Sequence, residues 1–131
     1  MKEIYFYPGR FQPMGPHHTE TFNTVMSKYG AENSYIVTSN KVDFSLKGGV
    51  PKSPLNFQEK KAIMVAHGIP GNNIVQVSNP YYVKEVLFNY KPEEVEAVYL
   101  VGAKDMAEDP RFKKTGGVTK EGYKWRIEVV P

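Results

Sequence analysis

The chain has 131 residues, 40% of them hydrophobic, which suffices for one domain with a single core and leaves little room for a second. Its 17 basic and 14 acidic residues give a net charge of +3 spread along the chain, and this favours an anionic small molecule over a nucleic acid as partner. The absence of cysteine excludes disulfide and thiolate chemistry and favours a cytoplasmic compartment, and no run reaches the roughly 20 apolar residues of a membrane helix.

The first part of the chain follows the order strand, turn, helix. Residues 4–7 are apolar or aromatic and are closed by Pro8 and Gly9, which predicts a short buried strand. Apolar side chains then recur at the spacing of one helix face: Phe22, Val25, Met26 and Tyr29. Gly30 is placed to end that helix.

The later segments repeat this alternation. Four further strands are predicted at residues 35–37, 73–77, 97–101 and 125–130. Helices are predicted over residues 54–67 and 83–90. The segment between residues 41 and 53 has no clear period and predicts a long loop.

Strands that alternate with helices predict an α/β fold with right-handed crossovers. We therefore expect a Rossmann-like three-layer α/β/α sandwich with a five-stranded parallel sheet, built as a single domain over residues 1–131. Ligands of such sheets bind beyond the carboxyl ends of the strands, where the strand order reverses. The candidate binding loops are those after the first, second and fourth predicted strands.

The junction after the first strand concentrates groups that bind phosphate. Gly9 lets the backbone pass close to a ligand, and Arg10 offers a guanidinium suited to bidentate phosphate contact. His17 and His18 fall in the first turn of the predicted helix, where unpaired amides and about half a positive charge attract anions. The junction therefore predicts a polyphosphate site.

These residues resemble the nucleotidyltransferase superfamily with the HIGH-type signature, which includes adenylyltransferases and cytidylyltransferases. The family pattern is Gly-Arg-Phe-Gln-Pro-x-His-x-Gly-His, and residues 9–13 followed by His18 match it in register. Gly15 stands where the family has its first histidine, and His17 stands where it has glycine. The resemblance implies that His18 binds the triphosphate and stabilises developing charge. We expect His17 to stand in for the first family histidine.

The resemblance also implies roles for residues elsewhere in the chain. Gly102 and Asp105 are similar to the Gly-x-x-Asp turn that lines the family's nucleotide pocket. Lys60 lies near the family's basic residue for the second substrate or a phosphate, and the alternative is a solvated lysine on an amphipathic helix. Lys41, with Lys47 and Lys52, either closes over phosphates or serves solubility.

The predicted site thus has three groups of residues. The catalytic group is His18, His17 and Arg10. The nucleotide-binding group is Gly9, Phe11, Gln12, Gly15, Gly102 and Asp105. The weaker group, for the acceptor or a phosphate, is Lys41 and Lys60.

The implied reaction moves a nucleotidyl group from a nucleoside triphosphate to a phosphorylated small molecule and releases pyrophosphate. ATP is the first choice of substrate and CTP the second, with Mg²⁺ arriving on the triphosphate and no other metal site expected. The family's Ser/Thr-rich motif ending in Arg, at a helix after the fifth strand, has no counterpart before Pro131. We therefore expect either a fragment or a shortened member in which that phosphate-binding helix is absent. The alternative is a catalytically degenerate nucleotide-binding module of the same fold, and the oligomeric state is left open.

Overall fold

The computed structural model describes residues 1–131 and has an α/β architecture. The strands are β1 (Lys2–Pro8), β2 (Ser34–Thr38), β3 (Asp43–Lys47), β4 (Val50–Ser53), β5 (Ile74–Gln76), β6 (Val95–Gly102), β7 (Gly116–Val118) and β8 (Lys124–Val130). The α-helices are α1 (Pro16–Tyr29), α2 (Phe57–Ala66), α3 (Lys84–Leu87) and α4 (Ala103–Glu108). None of these helices combines the length and apolar character needed to span a lipid bilayer.

The central sheet has six strands in the order β5-β2-β1-β6-β8-β7. All neighbouring pairs are parallel except β7 and β8, which are antiparallel. The prediction of a five-stranded parallel sheet is therefore wrong in one respect. All five predicted strands are present, and a sixth, β7, is added at the edge. Two of its three residues are glycines, so it carries no apolar pattern by which the sequence would reveal it.

Strands β1 and β6 form the middle of the sheet because their side chains are apolar on both faces. In β1 the four residues from Ile4 to Tyr7 are all buried, as expected for a parallel strand covered on both sides. Their side chains alternate between two apolar clusters: Tyr5 packs with Phe22 of α1 and Met64 of α2, whereas Phe6 packs with Leu87 of α3. The site described below lies at the carboxyl end of this buried strand.

The chain order of the sheet reverses between β1 and β6. From β1 the chain proceeds outward on one side to β2 and β5, and it then returns to the other side of β1 as β6 and continues to β8. The carboxyl ends of β1 and β6 therefore flank the topological switch point, where open α/β sheets leave a crevice for ligands. The loop after β1 and the start of α4 after β6 both open at this crevice.

Strands β3 and β4 form a separate antiparallel hairpin. The prediction of an unstructured loop over residues 41–53 is therefore wrong. Gly48 and Gly49 connect the strands with φ values of 60° and 80°, which is the backbone of a two-residue hairpin turn that favours glycine. All five residues of β3 lie at least partly exposed. The sequence signals that indicate the hairpin are the alternation of Phe44 and Leu46 with polar residues and the Gly-Gly pair.

Candidate functional site

The loop between β1 and α1 is shaped by Phe11, which points into the protein. Its side chain is 6% exposed and its φ is 49°, and its ring meets the ring of Tyr7 edge-on at 5.7 Å between centroids. A Cβ atom on Gly9 would lie 3.0 Å from the Phe11 ring, so glycine at that position leaves room for the ring. Any contact of Phe11 with a nucleotide therefore goes through its backbone, and the nucleotide-binding roles of Gly9 and Phe11 stay predictions.

Gln12 fastens this loop to the chain that enters α2. Its Nε2 donates to the carbonyl oxygen of Leu55 at 2.8 Å, and its Oε1 accepts from the Leu55 N–H at 2.8 Å. Both ends of the amide are engaged with one backbone unit 43 residues away. The structure therefore assigns Gln12 a positioning role, and its predicted contact with a nucleotide stays a prediction.

The ring of His18 is oriented by a backbone hydrogen bond. The N–H of Gly15, which caps α1, donates to Nδ1 of His18 at 3.0 Å. Because Nδ1 accepts this bond, it carries no proton, and the neutral ring carries its proton on Nε2. The ring also packs edge-on against Phe11, with 5.5 Å between the ring centroids. Backbone and core together thus present an N–H donor at the amino end of α1.

The surroundings of His18 favour its neutral form. Burial lowers the pKa of His18 below its ordinary value of 6.5, and the nearby imidazole of His17 lowers that pKa further. The negative charge of Asp105 partly opposes this lowering of the pKa. Asp105 lies in the first turn of α4, shortly after Gly102 ends β6, and it is close enough to His18 to act on the pKa of that histidine.

His17 is exposed and lies against His18. The two ring centroids are 3.8 Å apart with a tilt of 39° between the planes. A Cβ atom on Gly15 would lie 3.3 Å from Cε1 and Nδ1 of the His17 ring, closer than most Cβ contacts. Glycine at position 15 therefore leaves room for the His17 ring. Both residues differ from the HIGH-type pattern that the sequence resembles.

The amino end of α1 carries a positive electrostatic field. The helix has 14 residues, begins with Pro16, and has no acidic residue in its first turn. The backbone amides of a first helical turn have no partner within the helix, and its dipole adds about half a positive charge. Thr19 directs its hydroxyl to the carbonyl oxygen of Gly15 at 3.3 Å. An anion at this end meets the His18 side chain and the helix amides together.

Lys60 lies beneath the loop and not in solvent. It is 2% exposed, and its Nζ donates to Oγ1 of Thr38 at 2.7 Å. Thr38 donates in turn to the carbonyl oxygen of Gly9 at 2.8 Å, so the cation supports the backbone where β1 ends. Burial lowers the pKa of Lys60 to about 8. The interpretation of Lys60 as a solvated lysine is therefore wrong, and its contact with a substrate phosphate stays a prediction.

Arg10 connects the loop to the β3/β4 hairpin. Its Nη1 lies 3.5 Å from Oγ of Ser53, at the end of β4. A cleft of about 700 Å³ opens between Arg10 and the hairpin, and Lys47 and Lys52 line it. Lys41 follows β2 and is exposed, and it does not line this cleft. The structure thus groups Arg10 with Lys47 and Lys52 and separates it from Lys41.

Thr38 and Ser53 are the polar residues that sequence reasoning missed. Each is buried at the end of a strand beneath the loop, Thr38 at the end of β2 and Ser53 at the end of β4. A hydroxyl at the carboxyl end of a predicted parallel strand is the signal that would have found Thr38. No predicted strand end marks Ser53, because the sequence predicts a loop over residues 41–53.

No three His, Cys, Asp or Glu side chains are grouped so that they could hold a metal ion, and Mg²⁺ accompanying a triphosphate stays a prediction. A scan against protein-family models and a search of curated proteins find no match to this chain.

Proposed function

We propose that the protein is a nucleotidyltransferase built on a Rossmann-like α/β/α sandwich. It transfers AMP or CMP from a nucleoside triphosphate to a phosphate-bearing acceptor and releases pyrophosphate. The observation that carries this proposal is the hydrogen bond from the Gly15 N–H to Nδ1 of His18, which leaves Nε2–H as a donor at the amino end of α1. The switch point between β1 and β6 supports the same location.

In the proposed reaction, an oxygen of the acceptor phosphate attacks the α-phosphorus of the triphosphate. The bond between the α-phosphorus and the oxygen that bridges to the β-phosphate breaks, and pyrophosphate leaves with that electron pair. No side chain needs to form a covalent intermediate, because the acceptor phosphate is itself a nucleophile near neutral pH. Catalysis then depends on alignment and on stabilising the charge that develops on the phosphoryl oxygens.

His18, Arg10 and Lys60 have separate roles in the proposed catalysis. His18 donates from Nε2 to a phosphoryl oxygen that gains charge, and it does so without a change in its own protonation. Arg10 lies on the hairpin side of the loop, where a guanidinium can bind two oxygens of one phosphate. Buried Lys60 adds positive charge beneath the Gly9 carbonyl and keeps the loop in place. Mg²⁺ bound to the triphosphate supplies the remaining charge neutralisation.

The test is pyrophosphate release from ATP and from CTP in the presence of a panel of phosphorylated small molecules. Loss of one such donor typically lowers the rate by about 10²-fold or more, so His18→Ala is expected to lose at least that much. His67→Ala is the matched control for loss of an imidazole, because His67 is exposed at the carboxyl end of α2 and belongs to neither the loop nor α1. Equal turnover by the wild-type protein and His18→Ala would overturn the proposal.

A second candidate is a nucleotide-binding module that has lost catalysis. The observation that favours it is Gly15 at the position of the family's first histidine, where His17 already fills the adjacent space. A thermal shift with ATP or CTP that is abolished in His18→Ala, together with no pyrophosphate release from any acceptor, would identify the module. A His17→Ala variant with unchanged turnover would show that His17 does not replace the missing histidine.

A further inference from the structure

The cleft between the loop and the β3/β4 hairpin combines two kinds of surface. Its volume of about 700 Å³ lies within the usual range for small-molecule sites. Three of its lining residues are cations and three are apolar, and they are Arg10, Lys47, Lys52, Leu46, Val50 and Pro51. It is separate from the amino end of α1, but Arg10 belongs to the loop that joins the two.

The charged residues of this cleft favour an anionic ligand. No carboxylate lines it, and the only acidic residue of the hairpin is Asp43 at the start of β3. The Asp43 carboxylate accepts hydrogen bonds from the N–H and the hydroxyl of Ser45, at 2.9 Å and 2.6 Å. The charge of Lys52 also helps to lower the pKa of Asp43, so this carboxylate offsets part of the positive charge. Three cations against one neighbouring carboxylate leave the cleft with a net positive charge, and a guanidinium with two ammonium groups is a suitable set for a phosphate.

The apolar part of the cleft is exposed to an unusual degree for side chains of this type. Leu46 is 66% exposed and Val50 is 63% exposed, and both flank the hairpin turn. Leu46 lies directly opposite Pro51 across the hairpin, and Lys47 lies directly opposite Val50. Because successive side chains alternate, Val50 shares its face of the hairpin with Lys47 and Lys52, and Leu46 and Pro51 share the other face. A purely polar sugar phosphate would leave the Val50 side chain in water, whereas a ligand with an apolar body would cover it.

We propose that this cleft binds the acceptor, and that the acceptor is an organic phosphate with an apolar body. The phosphate lies among Arg10, Lys47 and Lys52, and the apolar body lies against Val50, on the same face of the hairpin as the two lysines. The identification of this ligand as the acceptor rests on the proposed nucleotidyl transfer. The preference for an apolar phosphate rests on the cleft alone, so it is tested by binding and without turnover.

The experiment compares hexyl phosphate with methyl phosphate, both as monomers in solution, by calorimetry and by NMR shifts of the hairpin amides. Hexyl phosphate is expected to bind about tenfold tighter or more, the ratio reached when about two of its five extra methylene groups leave water. Val50→Thr keeps the strand-forming shape and should remove most of that preference. Phe44→Ser is the matched control, since Phe44 is an exposed apolar residue of the same hairpin that does not line the cleft.

Several outcomes would overturn this proposal. Equal affinity for the two phosphates, or an equal loss of preference in Phe44→Ser and Val50→Thr, contradicts it. Binding of the protein to vesicles of phosphatidylserine and phosphatidylcholine with no binding of monomeric hexyl phosphate contradicts it as well and would identify a lipid surface as the occupant. A preference for hexyl phosphate without pyrophosphate release from any triphosphate supports the ligand class and refutes the proposed reaction. Pyrophosphate release without a preference for hexyl phosphate supports the proposed reaction and refutes the proposed ligand class.

Discussion

Replacement of Lys60 by methionine tests whether a charged lysine is buried beneath the loop. Methionine is similar in length and carries no charge, so Lys60→Met removes the buried ammonium and its hydrogen bond to Thr38 while it retains the packing within α2. The pKa of Lys60 falls from an ordinary value of 10.5 to about 8 through burial. Since one pKa unit corresponds to 1.36 kcal/mol, burial of the charge costs about 3 kcal/mol at neutral pH.

This cost disappears as the pH rises. Between pH 8 and 10.5 the unfolded chain holds the Lys60 proton while the folded protein has lost it, so the contribution of Lys60 to the free energy of unfolding increases with pH. The advantage of Lys60→Met over the wild-type protein should therefore shrink by about 2 to 3 kcal/mol from pH 7 to pH 10. Near pH 7 the loss of a charged hydrogen bond, about 1.5 to 3 kcal/mol, offsets much of the gain, so the change with pH is the informative quantity.

The assay is urea unfolding of both proteins at several pH values between 7 and 10. Thr38→Val serves as a control, because it removes the hydrogen-bond partner and leaves the lysine buried, so its free energy of unfolding should rise with pH at least as much as that of the wild-type protein. A difference between wild type and Lys60→Met that is the same at pH 7 and pH 10 would refute the burial of a charged Lys60.

Three further predictions concern the loop itself. Gln12→Ala breaks two hydrogen bonds to the Leu55 backbone and should lower the free energy of unfolding by about 1 to 3 kcal/mol in urea titrations. An unchanged urea midpoint would show that these hydrogen bonds do not stabilise the fold. Gly9→Ala places a methyl group 3.0 Å from the Phe11 ring and should cost about 1 to 3 kcal/mol by the same assay, and a neutral result would mean that the ring moves freely. An NMR titration of His18 should give a midpoint below 6.5. Because the unfolded chain then binds the proton more readily than the folded protein, the free energy of unfolding should fall as the pH drops below 6.5. A midpoint above 6.5 would contradict the neutral ring.

The alternation of strands and helices was predictable because it depends on local apolar spacing. The spacing of Phe22, Val25 and Tyr29 predicts α1, and the helix ends at Tyr29 before Gly30, as expected. The hairpin was not predicted, although Phe44 and Leu46 alternate with polar residues and Gly48 and Gly49 mark a turn, because the alternation is short and β4, which contains Pro51, does not continue it. Tertiary context decides what such a segment does.

The order of strands and helices around the candidate site was predictable, and the contacts within it were not. The first and fourth predicted strands, β1 and β6, lie on either side of the switch point, and the binding of a ligand there stays a prediction. The burial of Lys60 could have been predicted from the helix period, because Phe57, Lys60 and Met64 share one face of α2. The hydrogen bonds of Gln12 to Leu55 join residues 43 apart, and no local pattern specifies such a contact.

A crystal structure with a non-hydrolysable ATP analogue and Mg²⁺ tests the central claim most directly. We predict that the triphosphate lies at the amino end of α1, with a phosphate oxygen within hydrogen-bond distance of Nε2 of His18 while Nδ1 keeps its bond from the Gly15 N–H. A triphosphate bound elsewhere, or His18 with Nε2 turned away from it, would contradict the proposed function.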